Sequence, residues 1–400
     1  MAAEMAAQPE VLARVTGRAA AEAAAVRAVV PDPLAGVVFL ARGSSDNAAV
    51  FGRYLVELWA GRPAGLAAPS IYTRYHATVD WRGYLVVALS QSGATPEIVS
   101  TCRAMRAAGA VVLGITNERH SPLADTVDLL LGTDAGPELA IPATKTVTSQ
   151  LAALVTVATA LRDEASQLAA EASEGGMGRR AGPRGVPGGR SPGRAGRDEA
   201  SRLAAEASEG GMGRRAGPRG VPGGRSPGLA ERDRSAAPVA GPDLAGLPGA
   251  VAAVLADPGP PRELAGRWQG IDRLVVAGRG LAYAAALETA LKVKETTGIL
   301  AEGISTADLL HGPIATVYAG APVLLVDGNG PADTDLADLG DLLASRGAEA
   351  KSLPIGPGLP ETAHVITAVV RGQQLAMELA LARRTDPDAP AHLSKVTATT

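Results

Sequence analysis

Glu288, Lys292 and Glu295 stand at i, i+4 and i+7, a spacing that stacks two carboxylates and an ammonium on one face of a helix. The neighbouring Ala286, Leu287, Leu291 and Val293 are apolar, so this face is expected to be at least partly buried. A carboxylate–lysine cluster taken out of water has shifted pKa values and suits proton transfer. The acid Glu302 and His311, which precedes a Gly-Pro turn, follow within two short segments. A lone Glu-x-x-x-Lys pair is ordinarily a solvated salt bridge of small energetic weight. A group of titratable side chains just after an apolar run, Leu274 to Gly278, points to a site instead.

A second stretch bears chemistry of another kind. Ser90-Gln91-Ser92-Gly93-Ala94-Thr95 closes the apolar run Leu85 to Leu89 and opens the helical pattern Glu97 to Ala108. Backbone N–H groups, hydroxyls and the helix dipole at such a turn make an anion site, most simply for phosphate. Gly43-Ser44-Ser45 ends the run Gly36 to Ala41 and is placed to close the other side. The alternative use of these residues is turn formation and helix capping. Later in the chain, the run Val323 to Asp327 is followed by Gly328-Asn329-Gly330 and then Asp333 and Asp335, without a serine. A carboxylate there would repel a phosphate, so one phosphate site per chain is expected.

The elements that must position these residues alternate. Apolar runs at Gly36 to Ala41, Leu85 to Leu89, Val111 to Thr116 and Asp128 to Leu131 are separated by helical patterns, as are Leu274 to Gly278, Val323 to Asp327 and Ala348 to Leu353. Alternation of this kind predicts parallel sheets covered by helices on both faces. Long helices are expected over Ala143 to Leu161, Leu244 to Leu255 and Val365 to Arg383, and one or two Ala-rich helices over residues 1–30. Between the two alternating units the composition changes. Asp163 to Gly193 recurs at Asp198 to Gly228, displaced by 35 residues and differing only at Gln167 versus Arg202. Two Gly-, Arg- and Pro-rich copies without a repeated apolar stripe cannot build a solenoid and bury too little to order the chain. The expectation is a disordered, solvated linker.

The motifs also carry a resemblance. GRGxxYxxALExALKxKExxxxxAExxxxxxxxHGP, from Gly278 to Pro313, is similar to the second sugar isomerase (SIS) domain of the glucosamine-6-phosphate synthase family. SQSG-x-T at Ser90 to Thr95 resembles the sugar-phosphate signature of the same family. Glu4 with Gln8-Pro9, Ala135-Gly136-Pro137-Glu138 with Ala143-Thr144-Lys145, and the tail Asp386-x-Asp388-x-Pro390-x-x-Leu393-Ser394-Lys395 match further patches. The resemblance implies an α/β fold of two SIS domains, each a parallel sheet flanked by helices in a flavodoxin-like three-layer sandwich. It implies a helical lead-in (1–30), a sugar-phosphate-binding domain (31–162), the duplicated insertion (163–236), a domain carrying the catalytic helix (237–385) and an active-site tail (386–400). It places Gly43, Ser44, Ser45, Ser90, Gln91, Ser92, Thr95 and Ala143 around the sugar phosphate. Glu295 becomes the proton carrier, Glu288 and Lys292 the residues that hold and assist it, and Lys395 the amine that forms an imine with an open-chain ketose. His311 opens the sugar ring from a neighbouring subunit, which implies a homodimer. Ala143 and Leu310 stand where the family has a serine and a basic residue.

A synthase of that family carries a glutaminase domain with a cysteine at position two. Position two here is Ala2, and the expectation is a stand-alone deaminase that turns glucosamine 6-phosphate into fructose 6-phosphate and ammonia. The alternatives are an aldose–ketose phosphate isomerase, a fructosamine-phosphate deglycase and a non-enzymatic sugar-phosphate sensor. The partner is a hexosamine or hexose phosphate, and no cofactor is implied.

Bulk properties bound the rest. The chain has 400 residues with 46% hydrophobic residues and a formal net charge of −3, enough for two domains and without a field that recruits nucleic acid. One cysteine, Cys102, excludes an intrachain disulfide and fits a reducing cytoplasm. No signal-peptide-like or membrane-spanning run is present, so no membrane partner is expected. His76, His120, His311, His364 and His392 lack metal-ligand spacing.

Overall fold

The computed structural model of the chain describes residues 1–175, 244–390 and 393–395. The first half runs α1 (Ala2–Ala6), α2 (Gln8–Arg27), β1 (Gly36–Leu40), α3 (Ser44–Leu55) with a π-helical turn Val56–Ala60, β2 (Ala64–Leu66), α4 (Ser70–Thr73), β3 (Tyr84–Ser90), α5 (Pro96–Ala107), β4 (Val111–Thr116), β5 (Leu129–Gly132) and α6 (Lys145–Gly175). The second half runs α7 (Leu247–Ala256), α8 (Gly259–Trp268), β6 (Arg273–Gly278), α9 (Ala282–Thr297), β7 (Leu300–Ser305), α10 (Thr306–Leu310), a 3₁₀ turn Pro313–Thr316, β8 (Pro322–Val326), α11 (Asp333–Ser345), β9 (Glu349–Ser352) and α12 (Glu361–Ala382).

Leu85, Val86, Val87, Ala88 and Leu89 are all without exposed surface. Covered on both faces, such a strand reads as a continuous apolar run, the mark of a parallel sheet. The strands form two parallel sheets, β2-β1-β3-β4-β5 and β7-β6-β8-β9. The first follows the flavodoxin-like order, in which strand order reverses between β1 and β3 and ligands bind at the carboxyl ends there. The second repeats that reversal between β6 and β8. Helices α9 and α12 pack on each other, and α9 also packs on α3, so the face that carries Glu288 is covered from both sides. One hydrophobic core runs through β1, α3, α6, α9 and α12.

Two strands are absent from the sequence reading, β2 and β7. Both are edge strands, half open to solvent, and Leu-Ala-Glu-Gly-Ile-Ser carries no continuous apolar run. The expected end of α6 near Leu161 is also corrected. The helix continues to Gly175, because the segment that opens the first repeat is rich in Ala, Leu, Glu and Gln, which are good helix formers. The expectation of a disordered linker over the remainder of the insertion falls on residues 176–243, outside the described residues. Among the described residues no helix is long and apolar enough to cross a membrane.

Candidate active site

The carboxyl ends of β1 and β3 open into one cleft of about 360 Å³, lined by Arg42, Gly43, Ser44, Ser45, Ser90, Gln91, Ser92, Thr95, Ile141, Ala143, Glu295 and Lys395 among others. It lies at the reversal point of the first sheet. All eight residues expected around the sugar phosphate border it.

Each side of the cleft is built by a glycine. Gly43 precedes α3 with φ +59°, a region costly for residues with a Cβ. The turn brings the N-terminus of α3 to the wall of the cleft. Gly93 has φ +60°, and a Cβ there would lie 2.2 Å from Ser121 Oγ. The 90–95 loop is therefore pressed against its neighbour and held by Leu123 N–H donating to Gly93 O at 2.9 Å and Thr116 Oγ1 donating to Gln91 O at 3.2 Å. Ser90 Oγ and Ser92 Oγ accept the N–H groups of Gly93 and Ala94 at 3.1 and 3.2 Å. A hydroxyl oxygen used in this way keeps its own O–H to donate. Turn formation and anion binding are thus compatible uses of the same serines.

Helix α9 supplies the acid–base groups. Glu288 and Lys292 are fully buried, with Lys292 Nζ 3.5 Å from Glu288 Oε1 and hydrogen-bonded to Glu295 Oε2. Only Glu295 of the three reaches the cleft. Burial pushes the Glu288 carboxyl above its ordinary range, against the pull of Lys292 and of a hydrogen bond from Asn47. For Lys292 burial works to lower the ammonium, but the Glu288 and Glu295 carboxylates more than offset it and the net shift is upward. The lysine therefore stays a cation between two acids and couples them.

Asn47 was not singled out by sequence. Its Nδ2 donates to Glu288 Oε2 at 2.8 Å, so the helix whose N-terminus borders the cleft also holds the buried acid. Its only signal was its position, two residues after Ser45 on α3.

Lys395 reaches the opposite wall. Its Nζ donates to Ala140 O at 2.5 Å and lies 3.6 Å from Glu138 Oε2. Glu138 is buried and accepts from the N–H groups of Thr144 and Thr146 at 2.9 and 3.2 Å, which fixes the turn that carries Ala143. Ile141 N–H donates to Asp388 O at 3.0 Å, so the tail is laid along this turn.

Two titratable groups flagged by spacing are not brought in. Glu302 is exposed on the edge strand β7 and lines a different groove with Leu287, Leu291 and Lys294. The alternation of β7 turns it away while Ala301 goes inward. His311 is also exposed, its Nδ1 2.7 Å from Ala307 O, and it does not line the cleft of its own chain.

The reversal point of the second sheet is closed by the chain itself. Asp333 accepts the N–H groups of Gly328 and Gly330 at 2.9 and 3.1 Å. A side-chain carboxylate thus occupies the donors that a phosphate would need there.

The SIS domain model matches residues 36–160 and 269–355, more than half of the sequence. The chain belongs to the SIS domain family. Its SIS segments coincide with the two sheets. The chain is similar to glutamine–fructose-6-phosphate aminotransferase (isomerizing) of Symbiobacterium thermophilum, 30% identical over 399 residues, covering 95% of this chain and 53% of that protein. The corresponding protein of Thermococcus kodakarensis is 28% identical over 373 residues, covering 90% and 51%. The chain spans about half the length of these curated relatives. Among solved structures, the C-terminal domain of glucosamine-fructose-6-phosphate aminotransferase from Francisella tularensis superposes with a TM-score of 0.71 at 21% identity, covering 97% of each chain. Glucosamine-6-phosphate deaminase from Thermotoga maritima gives 0.58 at 18% identity, covering 98% of this chain and all of that one. Both likenesses show the SIS fold.

Proposed function

We propose that the chain is an aminosugar-phosphate deaminase that converts glucosamine 6-phosphate and water into fructose 6-phosphate and ammonia. The observation that carries this reading is that Glu295 and Lys395 line the same cleft as the two hydroxyl-rich loops. The loops offer neutral donors and helix N-termini to the 6-phosphate, and that remote binding energy positions the sugar. Glu295, backed by Lys292 and Glu288, takes the proton from C2 of the open-chain aldose and returns it to C1, which leaves an imine at C2. Lys395 attacks that imine, ammonia departs, and water hydrolyses the resulting lysine–ketose imine to free the amine and fructose 6-phosphate.

The same proton transfer, run on a hexosamine phosphate, releases ammonia and needs no amide donor.

The test is to assay purified protein for ammonia and fructose 6-phosphate from glucosamine 6-phosphate with nothing else added. Both products should form in equal amounts. Glu295→Gln keeps the shape and removes the base, so turnover should fall by roughly 10²–10⁴ while phosphate affinity stays. Interconversion of an unaminated aldose and ketose phosphate without ammonia release would replace the deaminase reading by an isomerase; binding with neither reaction would leave a sensor.

A further inference from the structure

We propose that Arg42 is a direct ligand of the substrate phosphate, oriented for that task by Glu97. The inference rests on the reading of the cleft as a sugar-phosphate site. The hydroxyl-rich loops supply only uncharged donors, whereas a phosphate monoester is close to a dianion at neutral pH. The cations lining the cleft are Arg42 and Lys395. Lys395 is engaged with Glu138 and Ala140 on the far wall. Arg42 stands beside Gly43, at the foot of the first loop.

The guanidinium is fixed from the other loop. Arg42 Nε and Nη2 lie 3.1 and 3.0 Å from Glu97 Oε2, and Nη1 donates to Ala41 O at 3.3 Å. Glu97 is buried in the first turn of α5, two residues after Thr95. The pair therefore straps the β1–α3 turn to the β3–α5 turn. A guanidinium has five N–H donors. The contacts above leave one N–H on each terminal nitrogen without a protein acceptor among the described residues, free to donate to an anion. The side chain is 44% exposed and lines the cleft.

Charge balance points the same way. Two carboxylates, Glu97 and the half-buried Asp46, stand at the N-termini of α5 and α3, and Arg42 acts on both. Left uncompensated they would repel the anion that the loops are shaped to hold. Arg42 is paired with Glu97 and lowers the Asp46 carboxyl, so its single charge offsets part of that repulsion.

Calorimetric titration with inorganic phosphate reads binding without turnover. Ser92→Ala serves as the reference for the loops. Arg42→Ala should weaken phosphate by at least about tenfold, the scale of a charge-assisted hydrogen bond, and Arg42→Lys should recover only part, since a point charge replaces a fork. The double variant Arg42→Ala with Glu97→Gln removes the carboxylate that the first change strands, and its affinity should stay weak. Recovery of wild-type affinity in the double variant would show that Arg42 only neutralises Glu97, and the proposal falls. It falls too if Arg42→Ala binds phosphate within about twofold of wild type while Ser92→Ala is weakened. If neither variant loses affinity, the phosphate reading of the cleft goes with it.

Discussion

At the scale of single residues, Lys292 holds the buried acid cluster together. It is fully buried between two carboxylates, and removing one member of a buried ion cluster strands the others. Its loss should be felt most where Glu288 must ionise. The Glu288 carboxyl is raised by burial, so between its ordinary value of 4.5 and its folded value the folded state binds more protons than the unfolded one. The stability linked to this group is full below 4.5 and is lost as pH rises through the folded value. Lys292→Met takes away the cation that limits this shift and raises the carboxyl further. The expected result is a loss of about 3–5 kcal/mol near neutral pH, shrinking as pH falls towards the ordinary value of 4.5, read from urea unfolding. A deficit independent of pH would mean that Glu288 and Lys292 are not electrostatically coupled.

At the scale of elements, the site depends on how closely α9 and α12 approach. Gly372 lies in the middle of α12, and a Cβ at that position would meet Thr289 Oγ1 at 2.0 Å and its Cβ at 2.9 Å. Thr289 immediately follows Glu288. Gly372→Ala must push α9 aside and with it the buried acid. Overpacking of this kind costs about 1–3 kcal/mol, although alanine favours an isolated helix. Melting temperature and turnover should fall together. A variant as stable and active as wild type would show that the helices tolerate a wider spacing. None of this could be read from periodicity, which finds the apolar stripes of α9 and α12 but not their separation.

At the scale of the molecule, His311 and the groove beside it bear on assembly. His311 is exposed and outside its own cleft, while Leu300 is 74% exposed and Leu310 and Tyr318 about half exposed. A site that took His311 from a neighbouring subunit would need a second copy of the chain. The expectation is an active homodimer. Light scattering with parallel activity measurements checks it, and a fully active monomer at assay concentration would exclude a subunit-shared site.

The two hydroxyl-rich loops that line the cleft were legible in the sequence because their geometry is local. A strand end, a glycine with positive φ and a helix N-terminus lie within a few residues of one another, as in Ser90 to Thr95. The cluster of Glu288, Lys292 and Glu295 was legible because helical spacing alone stacks it. Tertiary structure decided which of these groups reaches the cleft. Glu295 reaches the cleft and its two partners lie behind it, because α3 and α12 cover the rest of that face of α9. Glu302 turns outward because side chains alternate along β7, and no local pattern announced β7 as a strand. Arg42 and Asn47 gained their places only when a second element, α5 or α9, supplied the carboxylate that orients them. Each of those pairings joins residues dozens to hundreds of positions apart, and spacing along the chain carries no information about such contacts.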